Sequence, residues 1–138
     1  AQWFPQNRRL EYVNAGHLAP VLDGFREEPD FLVGGPPLGM FRGIEYKCGH
    51  VELKPDDVLM VYSDGLSEAE NERNIAFGVE RIREIVALYR DRTPLEIQSK
   101  ILDNVRKWRP QEPEDDITIL VVKVKDPGSG RNNSGSDR

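Results

Sequence analysis

Val58-Leu59-Met60-Val61-Tyr62 is an unbroken apolar run, set between the turn residues Pro55-Asp56-Asp57 and the segment Ser63-Asp64-Gly65. A half-exposed strand would alternate, so this run predicts a strand buried on both faces. Such a strand needs cover on each side. Two amphipathic helices follow it. Gly78 to Tyr89 places Val79, Ile82, Ile85, Val86 and Tyr89 on one face, at spacings of three and four. The second helix opens with Thr93-Pro94-Leu95-Glu96: a threonine cap, proline at the first helical position and glutamate three residues after the cap. Ile97, Ile101, Val105 and Trp108 form its apolar stripe, and Pro110 stops it.

The first fifty or so residues read as short strands broken by turns. Leu10 to Asn14 is one, with Gly16 at its end. Leu18 to Leu22 is another, followed by a hairpin signal at Asp23-Gly24. Phe31-Leu32-Val33 is a third. Gly34-Gly35-Pro36-Pro37-Leu38-Gly39 is too rich in Gly and Pro for a helix or a central strand and is expected to be a loop. Ile44 to Leu53 alternates as a longer strand with a phase slip that a bulge at Gly49-His50 would explain. Ile117 to Val124 is a final strand. Strands, two helices, then a strand imply an α+β fold with antiparallel sheets and the helices packed on one face. From Asp126 to Arg138 the chain is Gly-, Ser-, Asn- and Arg-rich, and a disordered tail is expected.

The 138 residues suffice for one domain, and 31% charged against 38% apolar residues suits a globular one. With 24 acidic and 19 basic residues no face is strongly basic, so nucleic acid is excluded as an expected partner. The densest basic run, Arg106-Lys107-Trp108-Arg109, sits at a helix end, where cations complement the dipole. Cys48 is the only cysteine. It allows neither an internal disulfide nor a thiolate zinc site, and with His50 nearby it reads as a packed or half-exposed strand thiol. No apolar run approaches the ~20 residues of a membrane helix. No signal-peptide pattern opens the chain. The expectation is a cytoplasmic protein, or the cytoplasmic part of a larger one.

Two acidic places could carry chemistry. Asp64-Gly65 directly follows the buried strand, where a sheet would hold the carboxylate rigidly and glycine would permit a turn or a close approach. An ordinary Asp-Gly turn explains it equally. Glu68, Glu70 and Glu72 read as solvated acids. Glu112-Pro113-Glu114-Asp115-Asp116 leads straight into the last strand, and its adjacent carboxylates repel unless a cation compensates or water solvates them. If that strand lies beside the one ending at Asp64, both acids meet at one sheet edge, a setting that suits Mg²⁺ or Mn²⁺. Spacing alone does not make the strands neighbours.

Asn14-Ala15-Gly16-His17, Pro37-Leu38-Gly39, Tyr62-Ser63-Asp64-Gly65-Leu66-Ser67-Glu68-Ala69, Phe77-Gly78 and Asp115-Asp116-Ile117-Thr118 occur in that order. Together, from about Leu10 to Lys125, they resemble the C-terminal half of the SpoIIE/RsbU-type serine phosphatases, the bacterial branch of the metal-dependent type-2C (PPM) phosphatases. The resemblance implies part of an α-β-β-α sandwich over residues 1–125 and a site for two Mn²⁺ or Mg²⁺ ions. It implies metal ligation by Asp64, with Gly65 adjacent, and by Asp115. Asp116 falls where the wider superfamily carries Asn, which implies support behind the ligands or a ligand role. His17 is either a proton donor or a structural, hydrogen-bonding histidine. The Gly34 to Gly39 loop corresponds to a segment near the centre that is thought to move in regulation.

The same resemblance implies hydrolysis of phosphoserine or phosphothreonine on a protein, with a phosphorylated anti-anti-sigma (STAS) factor of a partner-switching pathway as substrate. It implies an upstream sensor or regulatory domain and is compatible with a homodimer. The family's N-terminal acidic motif, whose Asp bridges both ions, has no counterpart here. The expectation is therefore a truncated domain, and the alternative function is a non-catalytic interaction module of the same fold.

Overall fold

A computed structural model describes residues 1–23, 29–110 and 115–125. The expected tail at 126–138, Gly24 of the hairpin signal and the acidic residues Glu112 and Glu114 lie outside the described residues.

The apolar run forms β7 (Val58–Tyr62), the centre of a three-stranded antiparallel sheet between β4 (Val21–Asp23) and β8 (Ile119–Lys123). Side-chain alternation splits β7 between two cores. Val58, Met60 and Tyr62 pack with Ile82, Ile85 and Val86 of α2 (Val79–Leu88) and with Ile97, Ile101 and Val105 of α3 (Pro94–Trp108). Leu59 points the other way, into a cluster with Leu22, Phe31, Val51, Leu53 and Val124. That second core is roofed by the antiparallel sheet β1 (Gln2–Phe4), β2 (Arg9–Tyr12), β6 (Gly49–Glu52), whose Leu10 and Tyr12 reach into it. The layers are thus sheet, sheet and helices, as the two-faced burial of β7 required.

Both long helices begin and end where their sequences direct. At α3, the Glu96 N–H donates to Thr93 Oγ1 at 3.3 Å, and the Thr93 N–H donates to Glu96 Oε2 at 2.9 Å. The Thr93 N–H, and after it the Thr93 hydroxyl, which donates to Glu96 Oε2 at 2.8 Å, hold the exposed Glu96 carboxyl below its ordinary pKa. Ile97 and Ile101 are fully buried, which fixes the helix rotation against the sheet.

The short strands differ from their sequence pattern for local reasons. Leu10 to Asn14 divides into β2 and the two-residue β3 (Asn14–Ala15), which pairs in parallel with β5 (Gly34–Gly35), inside the expected loop. A side chain at Gly34 would overlap the Asn14 backbone, so only glycine permits that pairing. Phe31 to Val33 is a turn: Asp30 accepts from the Leu32 N–H through Oδ1 and from the Val33 N–H through its carbonyl. The Leu18 to Leu22 strand starts only at Val21, past Pro20. Ile44 to Cys48 stays out of the sheet. There is no bulge at Gly49-His50; a Cβ on Gly49 would lie 2.6 Å from the Tyr12 ring, and that packing is why glycine stands there. Cys48, just outside β6, is exposed. A helical turn that the sequence pattern did not predict, α1 (Asp64–Ser67), follows β7.

Candidate metal centre

β7 and β8 are hydrogen-bonded neighbours, with Tyr62 opposite Ile119. Ser63 carries the pairing past the strand end. Its N–H donates to the Thr118 carbonyl at 3.0 Å, its hydroxyl donates to the Asp116 carbonyl at 3.0 Å, and it accepts from the Thr118 N–H at 2.9 Å. The chain then turns into α1, pinned by the buried Leu66, with the Leu66 N–H on the Ser63 carbonyl and the Glu68 N–H on the Asp64 carbonyl.

Gly65 has no left-handed φ, so conformational freedom is not its use. A Cβ there would lie 2.7 Å from the Asp116 carbonyl oxygen, 3.2 Å from its carbon and 3.3 Å from the Asp115 carbonyl oxygen. The glycine is what lets the segment carrying Asp64 close on the segment carrying Asp115. Spacing left that adjacency open; the fold provides it.

Asp64, Asp115 and Asp116 are all exposed, so water screens the repulsion expected of adjacent carboxylates. Asp64 Oδ1 accepts from the Gly65 N–H at 2.9 Å and Asp115 Oδ1 from the Asp116 N–H at 2.8 Å. Each of these carboxylates is therefore aimed by the amide of the residue after it. Asp116 enters the assembly chiefly through its backbone carbonyl, as the acceptor from Ser63 and the neighbour of Gly65. Between the segments lies a depression of about 290 Å³ lined by Gly65, Glu68, Ala69, Arg109 and Asp115. Carboxylate oxygens suit a hard divalent cation. Among the described residues, however, no three His, Cys, Asp or Glu side chains group closely enough to hold one. The donor type fits Mg²⁺ or Mn²⁺, and the donor number falls short.

The Asn14-to-His17 motif is organised by Asn14, which is buried and fully engaged. Its Nδ2 donates to the carbonyls of His17 at 2.8 Å and Phe31 at 3.0 Å, and its Oδ1 accepts from the His17 N–H at 2.7 Å. His17 itself is exposed, its Nδ1 3.0 Å from the Leu18 carbonyl. Gly16 packs against Pro37, which ties this motif to the Gly34 to Gly39 loop.

Three residues of this region were given no part in the site from sequence: Ser63, Glu68 and Arg109. Ser63 acts across 53 and 55 residues, Glu68 resembles any solvated acid, and Arg109 passes for a helix-end cation. Replacing Ser63 with Ala removes a donor and an acceptor at the sheet end, and should lower stability by about 1–2 kcal/mol. Urea unfolding should show a lower midpoint at unchanged slope. An unchanged midpoint would mean that the two segments are held together without Ser63.

A family model described as Stage II sporulation protein E (SpoIIE) matches residues 1–125. The fold is similar to the manganese-presoaked structure of the phosphatase domain of SpoIIE from Bacillus subtilis, with a TM-score of 0.67 and 16% identity over 98% of this chain and 56% of that one. Phosphoserine phosphatase RsbP of Bacillus subtilis is 33% identical over 63 residues, 44% of this chain and 15% of RsbP. Protein IcfG of Synechocystis sp. is 24% identical over 132 residues, 84% of this chain and 18% of IcfG. The chain thus spans less than a fifth of these two relatives and little more than half of the SpoIIE domain.

Proposed function

The chain belongs to the SpoIIE family, and from that membership we propose that it carries the Asp64 and Asp115 ligands of a metal-dependent protein serine/threonine phosphatase. The strongest support is the contact of Gly65 with the Asp115-Asp116 backbone, which brings the segment carrying Asp64 against the segment carrying Asp115, beside a depression that Asp115 and Glu68 line. Asp64 and Asp115 would hold Mn²⁺ or Mg²⁺, with Asp116 behind them. When bound, such an ion supplies Lewis acidity, which strengthens water as a nucleophile and draws charge from phosphoryl oxygens.

The rest of the work falls to the chain's own groups. Ser63 fixes the height of the two segments relative to each other, and Gly65 admits their closure. The Gly65 and Asp116 amides aim the two carboxylates. The described residues supply two such acids, and the chain matches 56% of the SpoIIE phosphatase domain. A complete site therefore needs at least one ligand beyond these two acids.

Phosphoserine on a protein is the substrate class, in keeping with RsbP's description as a phosphoserine phosphatase. A phosphorylated anti-anti-sigma (STAS) factor in the cytoplasm is the specific substrate proposed. No described helix is long and apolar enough to cross a membrane. The second reading, a non-catalytic interaction module, draws on the shortage of ligands among the described residues. Hydrolysis of p-nitrophenyl phosphate by the complete protein, titrated with Mn²⁺ and then with a chelator, separates the two. Metal-stimulated turnover that the chelator abolishes is expected; its absence would favour the second reading.

A further inference from the structure

Among the described residues lining the depression beside Asp115, Arg109 is the sole cation. Its place is set by rigid neighbours. The Arg109 N–H donates to the Val105 carbonyl at 2.8 Å and closes α3, and the backbone there is extended, with φ −126° and ψ 98°. The preceding Trp108 is locked from two sides. Its Nε1–H donates to the Ile75 carbonyl at 3.0 Å, and the Arg81 guanidinium lies 4.0 Å from its ring centroid. Pro110 follows and fixes its own φ. A half-buried arginine therefore leaves an anchored helix end and reaches a concavity that also holds Asp115 and Glu68.

A phosphorylated ligand entering that concavity meets two carboxylates and is repelled unless a cation faces it. A planar guanidinium fork matches phosphate oxygens in pairs, which an acidic wall cannot do. Arg109 already makes a further contact within the chain, and a phosphate would join or exchange with that partner at a fork of five N–H donors. From this placement we infer that Arg109 is the phosphate-binding residue of the depression, taking the non-bridging oxygens of the substrate phosphoryl group beside Asp115. The inference rests on the phosphatase reading above.

The test uses the complete protein and the variants Arg109→Ala, Arg109→Gln and Arg109→Lys, with inorganic phosphate as the probe. Titration calorimetry at saturating Mn²⁺ reads binding without turnover. Arg109→Ala and Arg109→Gln are expected to weaken phosphate binding by about tenfold or more, the loss of a charge-assisted pair, and Arg109→Lys to recover part of it. With p-nitrophenyl phosphate, KM should rise by a similar factor while kcat changes less. Should the alanine variant fail to fold, the polar, uncharged Arg109→Gln decides. Wild-type protein that binds no phosphate overturns the inference, as do variants that bind it with unchanged affinity. Tighter Mn²⁺ binding with unchanged phosphate binding would make Arg109 the counter-cation of Asp115 instead. Metal-stimulated turnover with phosphate binding indifferent to Arg109 keeps the phosphatase and removes this assignment. Phosphate binding through Arg109 without turnover does the reverse.

Discussion

Asp64→Asn and Asp115→Asn, each made alone in the complete protein, are expected to lower Mn²⁺-stimulated hydrolysis of p-nitrophenyl phosphate by about a hundredfold or more. The reasoning turns on what asparagine keeps. Its Oδ1 can still accept from the following amide, as Asp64 does from Gly65 and Asp115 from Asp116, so the local backbone has no cause to move. What is lost is the negative charge that a hard cation needs. Both carboxylates are exposed, so stability should change by less than about 0.5 kcal/mol. A thermal melt beside each assay separates loss of metal binding from loss of fold. Asp116→Asn serves as the contrast, because the Asp116 contribution to the assembly runs through its carbonyl oxygen. It should retain most activity. Wild-type hydrolysis in both Asp64→Asn and Asp115→Asn would sink the ligand assignment.

Gly65→Ala should damage stability and activity together. The added methyl would sit 2.7 Å from the Asp116 carbonyl oxygen, against backbone that Ser63 holds from the other side. Neither element has a flexible side chain to swing aside, so α1 and the Asp115-Asp116 segment must part. Overpacking of this kind costs about 2 kcal/mol, a fall in Tm of several degrees for a chain of this size. Moving the two carboxylates apart should lower hydrolysis by at least about tenfold, since misplacement on the scale of 1 Å is enough for that. A variant with unchanged Tm and turnover would show that the sheet end opens without cost. Gly65 would then not be what brings the acids together.

The layered fold was legible because its signals are local or periodic. The unbroken run at Val58 to Tyr62, the apolar stripes of α2 and α3 and the Thr93–Glu96 cap each involve residues within a few positions of one another. The Asp64 and Asp115 motifs were legible as an ordered pattern that resembles the SpoIIE family, and the family match bears out that reading. The short strands were less legible because side chains decided them. Asp30 turned the Phe31 to Val33 segment, Asn14 split the first strand, and Tyr12 required glycine at position 49.

Ser63 and Arg109 show where sequence reading stops. A serine after a strand and an arginine after a helix are commonplace, and neither residue type announces the distant residues it meets. By itself the sequence determined which segments are strands or helices over most of the chain, and which acids stand at their ends. Only the tertiary structure decided that the ends meet. Ser63 bonds to residues 53 and 55 positions away, Gly65 closes on Asp115 and Asp116, and Arg109 faces the same depression. Those contacts are set by the β7–β8 register and by α3 packing, and these follow from burying Met60, Tyr62, Ile97 and Ile101 in one core rather than from any local pattern.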